Sequence, residues 1–225
     1  MNIEVPLSRD GFADLAADLA NVSRETFGRQ TFDQQTFGRL EVYAETLRTW
    51  QPRINLVSNK SLDDLWRRHF LDSVQLARWV SPDMRILDMG SGAGFPGLVL
   101  SIITGATVVL AESDARKCAF LREVRRLTDA RAEIAESRIE ALDTSEMAGG
   151  AFDVVVARAL APLPDLLGHA SGLMKSNGFC LFLKGARVDG ELTDAAEFWN
   201  MQVEQHQSLS DPDGTVLKIG NLTRV

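Results

Sequence analysis

Residues 86 to 97 read Ile86-Leu87-Asp88-Met89-Gly90-Ser91-Gly92-Ala93-Gly94-Phe95-Pro96-Gly97, an apolar run that ends in an acid and passes into a glycine loop. Glycines at alternate positions let the backbone take positive φ and remove the Cβ atoms that would hold a ligand away. Pro96 suits the first turn of a helix, where its missing N–H costs nothing. The stretch predicts strand, ligand loop and helix, in that order. Two kinds of ligand suit such a loop. Gly92-x-Gly94-x-x-Gly97 satisfies the dinucleotide fingerprint, with Glu112 at about the ~20-residue spacing of a ribose-binding acid. Asp88 separates the two, because its charge would repel a pyrophosphate but not a phosphate-free, cationic cofactor.

S-adenosylmethionine is such a cofactor. Asp-x-Gly-x-Gly-x-Gly followed by an acid that ends the next strand, here Glu112 after Val108-Val109-Leu110-Ala111, resembles the pattern of Rossmann-like methyltransferases. Asp88, Gly90, Gly92, Gly94 and Glu112 are therefore expected to bind S-adenosylmethionine. The alternatives are an NAD-dependent oxidoreductase on the same loop and a non-catalytic RNA-binding ribosome assembly factor.

A second chemical residue is Arg158, which follows the apolar run 152–157 at the carboxyl edge of the sheet, where ligands of such folds bind. Arginine cannot act as a base at neutral pH but can bind a phosphate or a carboxylate with two prongs. The groups that are missing narrow the reaction. Enzymes that methylate exocyclic amines carry Asp/Asn-Pro-Pro-aromatic after the fourth strand, where this chain reads Arg158-Ala159-Leu160-Ala161-Pro162. Neither Cys118 nor Cys180 is placed on a loop as the nucleophile that carbon methylation of a pyrimidine requires. A guanine N7 has an in-plane lone pair and no proton to lose, so no base is needed. Arg158 is the expected catalytic residue, acting by placement.

The elements that must position these residues follow from periodicity. Residues 8 to 81 read as helical, with Ser8 capping a first helix, a stripe of Leu40, Tyr43, Ala44, Leu47 and Trp50, and a further helix capped at Ser61 and running towards Pro82. From Arg85 strands and helices alternate, which predicts a doubly wound parallel sheet. Strands are expected at 85–89, 107–112, 131–135, 152–157 and 179–184, and helices at 96–103, 115–127, 163–175 and near 190–200. A final pair, 202–209 and 215–220, is split by Asp211-Pro212-Asp213-Gly214, a hairpin turn sequence. The expected fold is α/β: a Rossmann-like class I methyltransferase with a mostly parallel seven-stranded sheet and a C-terminal antiparallel hairpin. Residues 82–225 would form that domain and residues 1–81 a helical region packed on it as one unit.

With 225 residues and 45% hydrophobic content the chain can bury a substantial core. The formal charge of -7 argues against nucleic-acid binding through overall positive charge, though not against a local basic face. Arg67 and Arg68, and a second group containing Arg116, Lys117 and Arg122, are the candidates for such a face. The two cysteines are expected as buried thiols, no metal-ligand spacing is present, and no membrane span or secretory signal is expected. A cytoplasmic monomer is the expectation.

The chain also resembles the bacterial small-subunit ribosomal RNA methyltransferase G family, known as glucose-inhibited division protein B. The resemblance covers about residues 35 to 220. It rests on Trp50 with Ile54-Asn55-Leu56-Val57-Ser58, on Arg68-His69-x-x-Asp72-Ser73, and on the loop from Asp88 to Gly97. Glu112-Ser113, Lys117-x-x-Phe120-Leu121, Ser137-Arg138-Ile139-Glu140, Arg158-Ala159 and Lys184-Gly185 continue it. The resemblance implies methyl transfer from S-adenosylmethionine to N7 of a guanosine in small-subunit (16S) ribosomal RNA. It also implies that Gly90 and Phe95 line the cofactor, that Ile139 and Glu140 flank its adenine, and that Arg158 lies at both cofactor and active site. His69 and Lys184, within matched motifs, join the RNA-facing set. His69 read alone is a packing histidine. Gln51-Pro52 and Val57 depart from the family, which often has asparagine with a basic residue, and threonine, at these places.

Overall fold

The computed structural model describes residues 5–27, 32–145, 147 and 149–225. Its helical N-terminal region contains α1 (Arg9–Phe27), α2 (Gln34–Trp50) and a single-turn α3 (Asn59–Leu62). Ser8 does cap the first of these, its Oγ accepting from Gly11 N at 3.1 Å. A longer run, α4, follows. It winds as a π-helix over Trp66–Leu71, as an α-turn over Asp72–Val74 and as a 3-10 helix over Gln75–Trp79. The sequence places a cap at Ser61 and one helix from there. The cap is instead Ser58, whose Oγ accepts from Ser61 N at 3.2 Å. Asp64 does not serve a first turn either: it accepts from Leu7 N at 2.7 Å and Arg67 Nε at 3.0 Å, which ties the N-terminal segment to α4.

Seven strands form the sheet, with short apolar strands buried on both faces at its centre and half-exposed strands at its edges. They are β1 (Arg85–Met89), β2 (Thr107–Glu112), β3 (Ala132–Glu136), β4 (Phe152–Arg158), β5 (Met174–Lys184), β6 (Trp199–Gln207) and β7 (Thr215–Arg224). Their order is β3-β2-β1-β4-β5-β7-β6, with β1 to β5 parallel and β7 antiparallel to both of its neighbours. The helices between them are α5 (Gly97–Thr104), α6 (Ala115–Thr128), α7 (Leu163–Ser171) and α8 (Val188–Ala196). β5 begins five residues before its expected start. Met174 pairs with Phe152 through an irregularity, which ends α7 before the expected residue 175.

One apolar cluster joins α1, α2 and α4 to α5, α6 and one face of the sheet, through Phe12, Tyr43, Phe70, Leu98 and Phe120. The other packs α7 and α8 on the opposite face, around Leu87, Val155, Leu167 and Trp199. Cys118 and Cys180 are buried free thiols. The N-terminal helices therefore share a core with the sheet, and their side chains reach the carboxyl edge of β1 and β4.

Candidate active site

The loop after β1 has Gly90, Gly92 and Gly94 at φ of 64°, 56° and 91°, the left-handed region that glycine permits. Their surroundings divide them. A Cβ on Gly92 would meet nothing nearer than Gly90 O at 3.8 Å, so this position is open. On Gly94 it would lie 2.6 Å from Leu98 Cδ1 and 2.8 Å from Tyr43 Oη. The Cβ direction of Gly94 is thus filled by protein. Tyr43 is fully buried, donates its hydroxyl proton to Ala93 O and stacks on Phe95 at 5.0 Å. An N-terminal helix thereby grips the glycine loop. On Gly90 a Cβ would meet Leu160 Cδ1 at 2.5 Å, because Leu160 lies across the loop.

Asp88 is completely buried beneath the loop, where its Oδ2 accepts from Gly97 N at 2.9 Å and its Oδ1 has no partner. The amide at the start of α5, where a dinucleotide would seat its pyrophosphate, already holds a carboxylate of the chain. Glu112 is engaged as well. Its Oε2 accepts from Gly92 N at 2.9 Å, and its Oε1 from Ser113 N and Asp114 N, each at 2.8 Å. An open Gly92 face beside the Asp88 carboxyl and the Glu112 carboxylate suits a phosphate-free ligand and opposes a pyrophosphate.

Burial pushes the Asp88 carboxyl up from 3.8 to about 7, against the opposing pull of Gly97 N–H and the Arg158 charge. Between those two values the folded chain holds a proton that the unfolded chain has released. The contribution of this group is therefore fullest at low pH and is lost as pH rises through about 7. Calorimetric Tm values of Asp88→Asn from pH 4 to 8 should show a flatter fall than the wild type, and an identical slope would assign the titration elsewhere.

Arg158 ends β4 and is held on every side. One guanidinium nitrogen donates to Arg68 O at 3.0 Å and approaches Asp72 Oδ2 at 3.4 Å, while the other lies 2.8 Å from His69 Nδ1. The guanidinium carbon sits 5.2 Å above the Phe95 ring. Arginine only donates, so Nδ1 of His69 accepts and the ring proton is on Nε2, 2.9 Å from Ser61 Oγ. Burial first, then the charges of Arg158 and Arg68, bring His69 down to about 3, so the ring is neutral near pH 7. Asp72 is raised by burial, against the pull of Arg158, and accepts from Ser210 Oγ at 2.6 Å. Ala159, next along the chain, takes φ of 50°, a strained conformation for a residue with a Cβ.

A cavity of about 1280 Å³ opens over these groups, between the glycine loop, α3, the 158–162 segment, the 184–187 segment and the turn between β6 and β7. Arg68, His69 and Lys184 line it, as do Phe95 and Arg158. Lys184 is paired there with Glu191 at 2.5 Å. Arg67 does not belong to any RNA-facing set: it is 2% exposed, with its Nε on Asp64 and a terminal nitrogen on Val5 O, so no phosphate can reach it. Arg116, Lys117 and Arg122 lie on α6 away from the cavity lining, and Arg116 and Arg122 are paired with Asp114 and Glu136. Ile139 and Glu140 form a 3-10 turn beside the end of β2, where Ser137 N donates to Glu112 O at 3.0 Å, and neither lines the cavity. Tyr43, Ser61, Asp72 and Ser210 were missed as site residues. Tyr43 gave only the signal of a core stripe, and Asp72 only its place beside His69.

The sheet order, the glycine loop after β1 and the acid after β2 define a class I S-adenosylmethionine-dependent methyltransferase. In fold the chain is similar to a TehB-like SAM-dependent methyltransferase from Corynebacterium glutamicum, with a TM-score of 0.53 and 17% identity over 80% of this chain and 96% of that one. It is also similar to M. jannaschii TYW2 in complex with AdoMet, with a TM-score of 0.54 and 14% identity over 77% of this chain and 80% of that one. Residues 37–215 match the family described as rRNA small subunit methyltransferase G, GidB, and the chain belongs to that family. Relatives named ribosomal RNA small subunit methyltransferase G include one from Gluconobacter oxydans, 46% identical over 92% of this chain and 100% of its own. One from Parvibaculum lavamentivorans is 49% identical over 91% of this chain and 87% of its own. The oxidoreductase alternative is set aside. Among the described residues no helix is long and apolar enough to cross a membrane, and no group of three His, Cys, Asp or Glu side chains could hold a metal ion.

Proposed function

We propose that this enzyme transfers the methyl group of S-adenosylmethionine to N7 of a guanosine in 16S ribosomal RNA. The observation that carries the choice of atom is the commitment of His69, the histidine at the centre of the site. Its one lone pair faces Arg158 and its proton faces Ser61, so it has no free lone pair to take a proton from a substrate. An acceptor that enters the reaction unprotonated, as N7 does, needs no base from this histidine.

When bound, the cofactor supplies an electrophilic methyl group on a sulfonium. The chain supplies placement. Gly92 leaves the approach to the loop backbone open with Gly90 beside it under Leu160, Phe95 walls the ligand, and Asp88 holds the start of α5 beneath it through Gly97 N. Glu112 retains lone-pair capacity for ribose hydroxyls beside its backbone donors, and Ile139 and Glu140 flank the adenine. Arg158 fixes the cofactor carboxylate or a phosphate of the target so that methyl and nitrogen lie in line, the geometry on which such displacements depend. Arg68 and Lys184 meet the RNA at the cavity, with Arg116, Lys117 and Arg122 as an outlying patch. The protein acts as a cytoplasmic monomer, with the helical region 1–81 and residues 82–225 working as one unit around their shared core.

The test is chemical. Purified protein, labelled S-adenosylmethionine and 16S ribosomal RNA, free or within the small subunit, should yield 7-methylguanosine on digestion and mass spectrometry. Methylation at another position, or of protein only, would reject the assignment.

A further inference from the structure

His69 bridges α3 and β4. Its Nε2 is 2.9 Å from Ser61 Oγ on α3, and its Nδ1 is 2.8 Å from the guanidinium of Arg158 on β4. Ser61 is itself fixed, with its Oγ 2.9 Å from Ser58 Oγ and 2.8 Å from Ser58 O. The imidazole is 6% exposed, stands in the π-helical turn of α4 and faces the Phe95 ring at 5.0 Å. A π-turn shifts the side chains that follow it relative to an α-helix, and such turns recur at functional sites. Here it holds a ring whose two nitrogens satisfy one donor and one acceptor on opposite sides.

We propose that His69 is a positioning residue, kept in the neutral Nε2–H tautomer by Ser61 so that its Nδ1 lone pair orients the Arg158 guanidinium. The inference rests on the role given to Arg158 above. Asp72 holds the same guanidinium by charge, at the longer distance of 3.4 Å, and Arg68 O accepts from the nitrogen that faces Asp72. His69 is the partner of the second nitrogen and so sets the rotation of the plane.

Two substitutions separate this role from packing. In His69→Asn the side-chain oxygen falls where Nδ1 stands, which keeps the acceptor for Arg158 and gives up Ser61. In His69→Gln the side-chain amide reaches the place of Nε2, which keeps Ser61 and leaves nothing at Nδ1. With saturating S-adenosylmethionine and 16S ribosomal RNA, single-turnover rates should fall about tenfold or more in His69→Gln, as expected for a lost bond to a charged group. His69→Asn should recover most of that loss. Equal losses in the two variants would overturn the proposal.

Nitrogen-15 spectra of the wild-type ring supply a measurement that needs no variant. Between pH 6 and 8 the Nε2–H tautomer is expected, and a proton on Nδ1 or an imidazolium would overturn the proposal. The double variant His69→Gln/Arg158→Ala should be no slower than Arg158→Ala, and additive losses would show that His69 acts by another route. Full activity in Arg158→Ala alone is a different result: it would remove the reading on which the inference rests.

Discussion

Arg158→Ala should lower single-turnover methyl transfer about a hundredfold or more, while S-adenosylmethionine and RNA still bind to a folded protein. Arg158→Lys keeps the charge but loses the planar fork that meets His69, Asp72 and Arg68 O at once, so it should regain only part of the rate. Wild-type rates should show no rising limb from a base between pH 6 and 8. Stability is expected to change with pH. The variant leaves Asp72 buried without its cation, although the bonds from Ser210 and Gln75 remain. Burial already raises this carboxyl, and loss of the Arg158 charge raises it further, so the variant accepts a proton there more readily. Its deficit in Tm should therefore be small near pH 5 and grow as pH rises. Scanning calorimetry at several pH values checks the sign. A rate within a few fold of wild type would mean that Arg158 only ties β4 to α4.

Gly92→Leu and Gly94→Ala should fail in opposite ways. A side chain at Gly92 enters open space over the loop, so the variant should fold, with about 1 to 2 kcal/mol of strain from positive φ. It should bind S-adenosylmethionine at least about a hundredfold more weakly, because the leucine fills the approach that the glycine leaves clear. A methyl group at Gly94 meets Leu98, Tyr43 and Leu121, all buried, at 2.6 to 3.0 Å. Overpacking of that kind with a strained φ costs several kcal/mol, and Tm should drop by about 10 °C. Titration calorimetry for the first and thermal unfolding for the second make the comparison. Unchanged cofactor affinity in Gly92→Leu would mean that the cofactor does not approach by this face.

The two glycines also mark where sequence reading stops. The alternation of glycines announces a tight loop, yet which Cβ direction faces a ligand and which faces a tyrosine 51 positions earlier depends on packing across the fold. β1, β2 and β4 were legible because each is a short apolar run between turn residues, and the β6–β7 turn because Asp-Pro-Asp-Gly admits little else. The 58–79 stretch was less legible. Ser58 and Ser61 are equally good caps in isolation, and a π-turn leaves no mark in hydrophobic spacing. Arg67 beside Arg68 reads as a basic pair, but one is in the core with Asp64 and the other at the cavity with Asp211. The roles of His69 and Asp72 emerged only once β4 had placed Arg158 against them.

β7, the later of the two hairpin strands, is inserted between β5 and β6. During synthesis the chain therefore makes β6 before it has anything to pair with. Until Thr215–Arg224 emerges, β5 presents the bare hydrogen-bonding edge of Cys180, Leu181, Phe182 and Leu183, the kind of edge that recruits strands from other chains. The same delay leaves Asp72 without Ser210, which belongs to the turn just before β7. A ribosome-bound chain that stops short of Thr215 would thus lack both a closed sheet and a finished cavity wall. Completion of the site and loss of the adhesive edge become one late event of translation.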